Sequence, residues 1–430
     1  MPPRNLRLVL IVFASTVMLY ITAIHQRSHS AHEQRVVVNV HQSIPEQQKP
    51  LQEELPIVPE KFMTYYPHSG FHNQRIALVN AMVLAKALGR TLILPEVNVG
   101  KGNYWWPTPK LPEKMDHCLS LPVRERRGYC KEYQQYVGAA VADIFDLSGA
   151  RAAGIKMIQR RNMSIDYFEK YWGAQPSDIA QIVDDSRFSY CIYDNASSTE
   201  PLQHQFQRRI NLEDLAQQQE PFLVFGSLFS TFRLHLEDER LVQLRDFLEA
   251  ETGFGHPVVL EQALAIVSRL GGPGTFTSVH VRVGDGVFST MVQDTIARVQ
   301  HNLRRQVQTT EKMEKYKQGG HFDKLLYECV ASKSPIIYMA TDAAKPRETL
   351  AELYMEFPCL FTISDFPEVI QNIVTSATDA YGPLLLPFVD AEVSSHGSFF
   401  VGTRKSTFSK YIQTRNHRFL TLYPHATSTD

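Results

Sequence analysis

Short apolar runs alternate with longer amphipathic stretches in the first half of the chain. The runs 62–66, 91–94 and 222–225 are rich in aromatic and β-branched residues and have Gly or Pro close by, so we predict three strands. Between the first two, apolar residues recur at helical spacing over about 73–88, and Gly89 ends that pattern. The pattern predicts β-α-β units from about residue 59 onward.

The same alternation returns in the second half, which predicts parallel sheets covered by helices on both faces. We therefore expect an α/β protein with two Rossmann-like domains, 59–255 and 256–430, facing a cleft. The glycines at 271–274 precede a strand and open no helix, so they predict a turn and not a phosphate-binding loop. The predicted elements are helices at about 258–270, 290–317 and 345–357, and strands at 275–283, 335–340, 360–363 and 399–401.

The beginning of the chain has a different pattern. Residues 8–24 are uncharged and mostly apolar, which reaches the lower limit for a membrane-spanning helix, and Arg4 and Arg7 precede them. We predict a cytoplasmic tail at 1–7, a signal anchor at 8–24 and a polar stem at 25–58. A cleaved signal peptide is the alternative. The anchor predicts a single-pass type II membrane protein with a luminal catalytic part, in the Golgi or the endoplasmic reticulum.

Composition narrows the possible partners and the compartment. The net charge is −1 and the isoelectric point is near 7.0, so no excess of positive charge indicates a nucleic-acid partner. Asn162 and Asn195 each begin a glycosylation sequon, which fits a luminal location. In an oxidising lumen some of the five cysteines should pair. Sequence proximity favours Cys118 with Cys130 and Cys329 with Cys359, leaving Cys191 as a thiol.

The hexapeptide 280–285, His-Val-Arg-Val-Gly-Asp, ends a predicted strand. Alternation places His280 and Arg282 on the face opposite the valines, and Gly284 ends the strand just after Arg282. Ligands bind at the carboxyl ends of strands in open α/β sheets, and the planar guanidinium suits a phosphate. The alternative is a surface arginine paired with Asp285.

Three other segments combine a strand end or a helix start with groups that suit an anion. Gly70 and Asn73 lie in a loop that opens a helix, where Asn73 is expected to cap the helix or to donate to a ligand. Asp342 ends the next strand and is expected either to contact a ribose or base or to cap the helix near Lys345. The last segment, 399–409, holds Ser406, Thr407 and Phe408 at a predicted helix start. Arg415, further along that helix, is expected to pair with Asp390 or Glu392.

The chain contains no Asp-x-Asp pair, which argues against a diphosphate held through a divalent metal. The four segments instead favour arginine and helix ends as the phosphate-binding groups. We therefore predict no metal site and no separate cofactor, with a nucleotide sugar as the donor substrate.

Four blocks in order resemble the GDP-fucose protein O-fucosyltransferase superfamily, especially its plant and fungal types. They are Ser-Gly-Phe-His-Asn-Gln-Arg at 69–75, His-Val-Arg-Val-Gly-Asp at 280–285, Tyr-Met-Ala-Thr-Asp at 338–342 and Phe-Val-Gly-Thr-Arg-Lys-Ser-Thr-Phe-Ser at 400–409. The first block departs from the family at Ser69 and His72, and it contains no carboxylate to act as a general base. The base is therefore unassigned.

The resemblance implies a GT-B fold and an inverting, metal-independent transfer of fucose from GDP-fucose to a protein or glycan hydroxyl. It implies Arg282 and Asn73 as catalytic residues, with Arg282 stabilising the leaving GDP. The implied donor-binding residues are Gly70, His280, Asp285, Asp342, Ser406, Thr407 and Phe408. Two alternatives stay open: another donor such as a rhamnose nucleotide on the same fold, or a catalytically silent protein that binds a sugar nucleotide or glycan.

Overall fold

The computed structural model describes residues 60–202, 205–284, 286–306, 322–376 and 381–424, and these described residues belong to one structural unit. Its strands are β1 (Phe62–Tyr65), β2 (Thr91–Leu94), β3 (Val97–Asn98), β4 (Gly138–Ala139), β5 (Met157–Gln159), β6 (Ile179–Ile182), β7 (Tyr190–Tyr193), β8 (Arg208–Asn211), β9 (Phe222–Phe225), β10 (Leu234–His235), β11 (Thr277–Val281), β12 (Ile337–Thr341), β13 (Leu360–Phe361) and β14 (Phe399–Val401).

The α-helices connect these strands. They are α1 (Phe71–Leu88), α2 (Lys110–Ser120), α3 (Val141–Ile144), α4 (Ser148–Ala152), α5 (Tyr167–Trp172), α6 (Leu212–Ala216), α7 (Glu239–Glu251), α8 (Pro257–Arg269), α9 (Val287–Thr290), α10 (Val292–Gln306), α11 (Phe322–Ala331), α12 (Pro346–Thr349), α13 (Ala351–Glu356), α14 (Pro367–Ser376), α15 (Leu386–Ser395) and α16 (Thr407–Leu422). Short 3₁₀ turns cover Val123–Glu125, Gly128–Tyr133, Pro176–Asp178, Ile363–Asp365 and Gly382–Leu385.

Two parallel sheets dominate the fold, which confirms the α/β prediction. The first has five strands in the order β5-β2-β1-β9-β6, and the second has four in the order β13-β12-β11-β14. Every residue of β11 is buried, as expected for a central strand of a sheet covered on both faces. The carboxyl end of β11 therefore lies between the ends of β12 and β14.

Apolar side chains cover both faces of each sheet. One cluster packs α2 and α5 onto an outer face of the first sheet, and another packs α10 and α13 against β11 and β12. A third cluster includes side chains of α1, α8, α15 and α16 and reaches both sheets. This shared core joins the two sheets through helices, and it brings the first turn of α1 towards the first turn of α16.

Most predicted elements are confirmed, with differences at their ends. Helix α1 begins at Phe71 and not near residue 73, because Gly70 is its N-cap. The predicted helix 345–357 is broken into α12 and α13 at Leu350, whose buried side chain joins the core. The predicted strand 360–363 ends after Phe361. The predicted helix 290–317 is described as two helices up to Gln306, and its remainder lies outside the described residues.

The small parallel sheet β10-β7-β8 is not among the predicted elements. Its partner strands β8 and β10 are short or mostly polar, although β7 itself is a buried run of four apolar and aromatic residues.

The N-terminal segments 1–7, 8–24 and 25–58 lie outside the described residues. Within the part of the chain that the structure describes, no helix has both the length and the apolar character needed to cross a membrane. The membrane anchor therefore stays a prediction from the sequence.

Two disulfides, Cys118–Cys130 and Cys329–Cys359, confirm the pairing that sequence proximity favoured. The fifth cysteine, Cys191, is a buried thiol on β7.

We expect peptide mapping without reduction to recover these two disulfides and to find Cys191 alkylated only after unfolding, because its side chain is inaccessible in the folded protein. Mass spectrometry of digests alkylated before and after denaturation measures this. A disulfide that includes Cys191 would contradict the pairing.

Candidate functional site

The carboxyl end of β11 carries the two residues that the sequence singled out. Strand alternation directs Val279 and Val281 into the core cluster beneath α10, and His280 to the opposite face, where it is 4% exposed. Arg282 is the first residue after the strand, and its side chain is one-third exposed. The guanidinium carbon lies 4.6 Å from the ring centre of Phe288 on α9. This contact holds the guanidinium at the surface of the sheet edge.

Thr403, just after β14, joins the ends of β11 and β14. Its hydroxyl donates to the carbonyl of His280 at 2.8 Å and accepts from the backbone N–H of Arg282 at 3.0 Å. Its own backbone N–H donates to the Ser409 hydroxyl on α16 at 2.8 Å. Gly402 precedes it because a Cβ at that position would lie 2.6 Å from the Cβ of Ser409. One threonine thus fixes Arg282 relative to the start of α16.

His280 is held as a neutral imidazole. Its Nδ1 lies 2.6 Å from the Ser409 hydroxyl, and its ring centre lies 4.6 Å from that of Phe408. Burial, with a smaller contribution from the positive charge of Arg282, lowers the pKa of His280 to about 3. The ring therefore supplies hydrogen bonds and a flat surface at neutral pH, and not a charge.

Asp342 holds the loop that follows Arg282. Its carboxylate accepts the backbone N–H groups of Val283 at 2.7 Å and of Gly284 at 3.1 Å, and its Oδ2 lies 3.9 Å from Nε of Arg282. A Cβ at position 284 would lie 2.3 Å from that Oδ2, so any larger residue there would force the Asp342 carboxylate to move. The expectation that Asp342 caps the next helix is wrong, because Lys345 is the N-cap of α12. Asp285 lies outside the described residues.

Helix α16 begins as predicted, with Ser406 as its N-cap, whose hydroxyl accepts the backbone N–H of Ser409 at 3.3 Å. The prediction that Arg415 pairs with Asp390 or Glu392 is wrong. Arg415 donates to the carbonyl of Ala250 at 2.7 Å, which ties α16 to the end of α7.

A cleft of about 500 Å³ opens beside β14 and the start of α16. Among the described residues that line it, none is Asp or Glu, and the charged ones are Arg298, Arg404, Lys405 and Lys410. Arg298 donates to the carbonyl of Gly402, and burial together with the charge of Arg404 lowers its pKa. Ser406 and Thr407 belong to the same lining, whereas Arg282 does not. The cleft therefore has the electrostatics of an anion site at a helix N-terminus.

The first block of the sequence faces these elements from α1. Gly70 is the exposed N-cap of α1, and a Cβ there would meet no atom within 4 Å, so the space before the helix is open. Asn73 does not cap the helix. It is the third helical residue, and its backbone N–H donates to the carbonyl of Gly70 at 2.9 Å. The ring of His72 lies 5.1 Å from that of Phe408, centre to centre, which brings the start of α1 against the start of α16.

Most of the predicted site residues are thus brought together. Arg282, His280, Asp342, Ser406 and Phe408 form one contact network, and Thr407 lines the adjoining cleft. The roles that the resemblance gave to these residues stay predictions. Sequence reasoning missed Thr403 and Ser409 as connecting residues and Arg298 and Arg404 as lining residues. Nothing in the pattern of α10 distinguishes Arg298 from an arginine on a solvated helix face.

No metal-ligand cluster is found within the described part of the chain, where no three His, Cys, Asp or Glu side chains come together in a suitable arrangement.

Comparison with known proteins finds a family similarity in the second half of the chain. Residues 255–418 match the family described as GDP-fucose protein O-fucosyltransferase, and this range includes the second, third and fourth sequence blocks. No curated protein matches the chain significantly.

Solved fucosyltransferase structures show a distant similarity. POFUT1 in complex with GDP is 13% identical, with 83% of this chain and 94% of POFUT1 covered and a TM-score of 0.41. NodZ from Bradyrhizobium is 15% identical, with 82% and 93% covered and a TM-score of 0.40. NodZ α-1,6-fucosyltransferase soaked with GDP-fucose is 14% identical, with 83% and 92% covered and a TM-score of 0.39. Because these TM-scores are low, the architecture rests on the sheets and helices themselves.

We expect the free energy of unfolding to fall as the pH drops below about 6.5, because the pKa of His280 is near 3 in the folded protein and near 6.5 in the unfolded chain. Protonation then favours the unfolded chain, by up to about 1.4 kcal/mol per pH unit for each such histidine. Urea unfolding between pH 7 and pH 4.5 measures the slope. His280→Asn should make the slope smaller by the share of one histidine, because His68 and His72 also have a pKa near 3 in the folded protein. His117→Gln, at an exposed position, should leave the slope unchanged. Equal slopes for wild type and His280→Asn would refute the assignment.

Proposed function

We propose that this chain is a glycosyltransferase that transfers fucose from GDP-fucose to a hydroxyl of a protein or glycan, and the match of residues 255–418 to the GDP-fucose protein O-fucosyltransferase family supports this proposal. The observation that carries this proposal is the cationic cleft at the start of α16, next to the network that fixes Arg282. The four cations lining the cleft are opposite in sign to the charge of a nucleoside diphosphate.

The donor would place its diphosphate at the first turn of α16. There Ser406 and Thr407 offer hydroxyl groups, and the free backbone N–H groups of the helix start favour an anion. Phe408 is half-buried beside His280, so its ring is accessible to a nucleoside or sugar face. Arg282 reaches the same helix start from the other side through Thr403.

The reaction breaks the bond between the sugar and the β-phosphate, so negative charge develops on the departing GDP. A cation and backbone donors already fixed in place stabilise that charge more than they stabilise the intact donor. Arg282 is fixed by its backbone bond to Thr403, its contact with Phe288 and the Asp342 carboxylate nearby. We assign it the role of stabilising the leaving group, with Arg298 and Arg404 as further phosphate contacts.

The acceptor would approach from the start of α1, where the space before Gly70 is open. Attack from the side opposite the diphosphate inverts the anomeric configuration.

We also propose that the two parallel sheets correspond to the halves of a GT-B enzyme and that the transfer needs no metal. Metal independence is supported by the absence of an Asp-x-Asp pair from the sequence and by the cationic lining of the cleft.

For the cellular location, we propose a type II membrane protein whose catalytic part lies in the lumen of the Golgi or endoplasmic reticulum. The apolar run 8–24 supports the anchor. Two disulfides support an oxidising compartment, and the sequon residue Asn195 is exposed on a loop after β7.

A donor panel tests the function. The chain from about residue 59, secreted from a eukaryotic host, is incubated with GDP-fucose, GDP-mannose, UDP-rhamnose and UDP-glucose, with and without excess chelator, and free nucleotide is measured. We expect GDP release from GDP-fucose in both conditions. Nucleotide release from UDP-rhamnose alone would show that UDP-rhamnose, and not GDP-fucose, is the donor. GDP binding without nucleotide release from any donor would indicate a catalytically silent protein. Loss of activity with chelator that Mn²⁺ restores would contradict metal independence.

We expect Arg282→Ala to lower the turnover of GDP-fucose about 100- to 1,000-fold, the usual effect of removing one group that stabilises developing charge. The fold should survive, because the side chain is one-third exposed and the bond to Thr403 is made by the backbone. Steady-state GDP release and thermal unfolding measure the two properties. Arg240→Ala is the matched control, since Arg240 pairs with Asp238 at the surface. Near wild-type turnover of Arg282→Ala would contradict the role of Arg282 in stabilising the leaving group.

A further inference from the structure

His72 is a buried imidazole without a hydrogen-bond partner among the described residues. Its side chain lies in the first turn of α1 with 9% of the residue exposed, and neither Nδ1 nor Nε2 has a donor or acceptor within reach. Four aromatic rings surround it: Phe71, Phe254, Phe408 and Tyr411, with ring centres between 5.0 and 6.3 Å away.

An unsatisfied buried polar group destabilises the folded state, so its presence needs an explanation. The other buried histidine at this site, His280, is satisfied by Ser409. His72 therefore differs from a core histidine held by its own neighbours, and its position between Gly70 and Phe408 places it where both substrates of the proposed reaction would meet.

We propose that His72 is the general base that takes the proton of the acceptor hydroxyl, an inference that rests on the proposed function. The acceptor oxygen forms a bond to the anomeric carbon of the donor sugar. The bond from that carbon to the β-phosphate oxygen breaks, and its electron pair leaves on GDP. The acceptor proton moves to a ring nitrogen of His72, which becomes an imidazolium on the acceptor side of the sugar. The first block of the sequence then has a base although it lacks a carboxylate.

The acceptor can reach His72 past Phe408 and Phe71. These two rings are half-buried, whereas Phe254 and Tyr411 are fully enclosed in the core. Phe408 touches both His72 and His280, so a ligand that displaces or stacks on its ring comes directly against the two imidazoles.

The charges around His72 connect its basicity to donor binding. Arg75 faces it from α1, His280 and Arg282 from β11 and the following loop, and Tyr411 from α16. Burial, and then the positive charges of Arg75 and Arg282, lowers the pKa of His72 to about 3, so the ring is neutral but only weakly basic before the donor binds. A bound diphosphate brings negative charge beside Arg282 and raises that pKa, which makes the base stronger only when the donor is in place.

The experiment compares wild type with His72→Gln, His72→Phe and the control His256→Gln. His256 is a second buried histidine, 7% exposed, at the start of α8 and away from the cleft. Hydrolysis of GDP-fucose is the probe, because water then serves as the acceptor. GDP release is measured from pH 5 to pH 8, and GDP affinity is measured by calorimetry for each variant.

We expect both His72 variants to lose about 100-fold or more in turnover, as removal of a general base does, with unchanged GDP affinity. The acidic limb of the wild-type pH profile should disappear in His72→Gln, and the control should behave as wild type. If the variants fail to fold, ¹⁵N NMR of the histidine rings in the wild type tests whether GDP makes His72 more basic. The signal assigned to His72 should show a higher pKa in the GDP complex than in the free protein.

Wild-type turnover or an unchanged pH profile in His72→Gln would overturn the inference, as would a histidine titration that does not respond to GDP. Weakened GDP binding in the variants would also overturn it, by assigning His72 to donor binding. A wild-type enzyme that releases nucleotide from no donor would instead overturn the proposed function, together with the role of His72.

Discussion

The site depends on the hydroxyl group of Thr403. Parallel strands end at the same edge of a sheet, but nothing in the ladder of hydrogen bonds continues beyond β11 and β14 to hold the loops that follow. Beyond the strands, the Thr403 hydroxyl makes hydrogen bonds to the backbone of His280 and Arg282 at the end of β11. The backbone N–H of Thr403 donates a further hydrogen bond to Ser409 on α16. The orientation of Arg282 is thereby tied to the direction of a helix axis.

The starts of two helices then determine what can bind. Helix α16 presents its first turn to a cationic cleft, and α1 presents its first turn from the other sheet through the contact of His72 with Phe408. The shared core of α1, α8, α15 and α16 sets the distance between them. A reaction that separates a diphosphate from a sugar needs an arrangement of this kind, with positive partial charges for the leaving group and a separate approach for the acceptor.

The sequence predicted the parts of this arrangement that have a local cause. The apolar run of β11, the glycine after it and the hydroxyl cap at Ser406 follow from periodicity and capping, so their positions were correct. Asn73 was a reasonable cap by residue type, yet the helix begins two residues earlier because Phe71 joins the core cluster. The role of Asp342 was equally ambiguous, because a carboxylate after a strand can cap the next helix or accept hydrogen bonds from a neighbouring loop. The parallel register of β11 and β12 aligns Val281 with Thr341, and it therefore places Asp342 beside the loop that follows β11.

The approach of Asp342 to Gly284 has a consequence for altering this protein. The carboxylate occupies the volume where any other residue at 284 would carry its first side-chain atom. A substitution there would remove no functional group, yet it would push the Asp342 carboxylate away from the backbone N–H groups that it now accepts. Attempts to change donor preference should therefore leave position 284 as it is and vary Phe288, which adjusts the guanidinium without loosening its anchor.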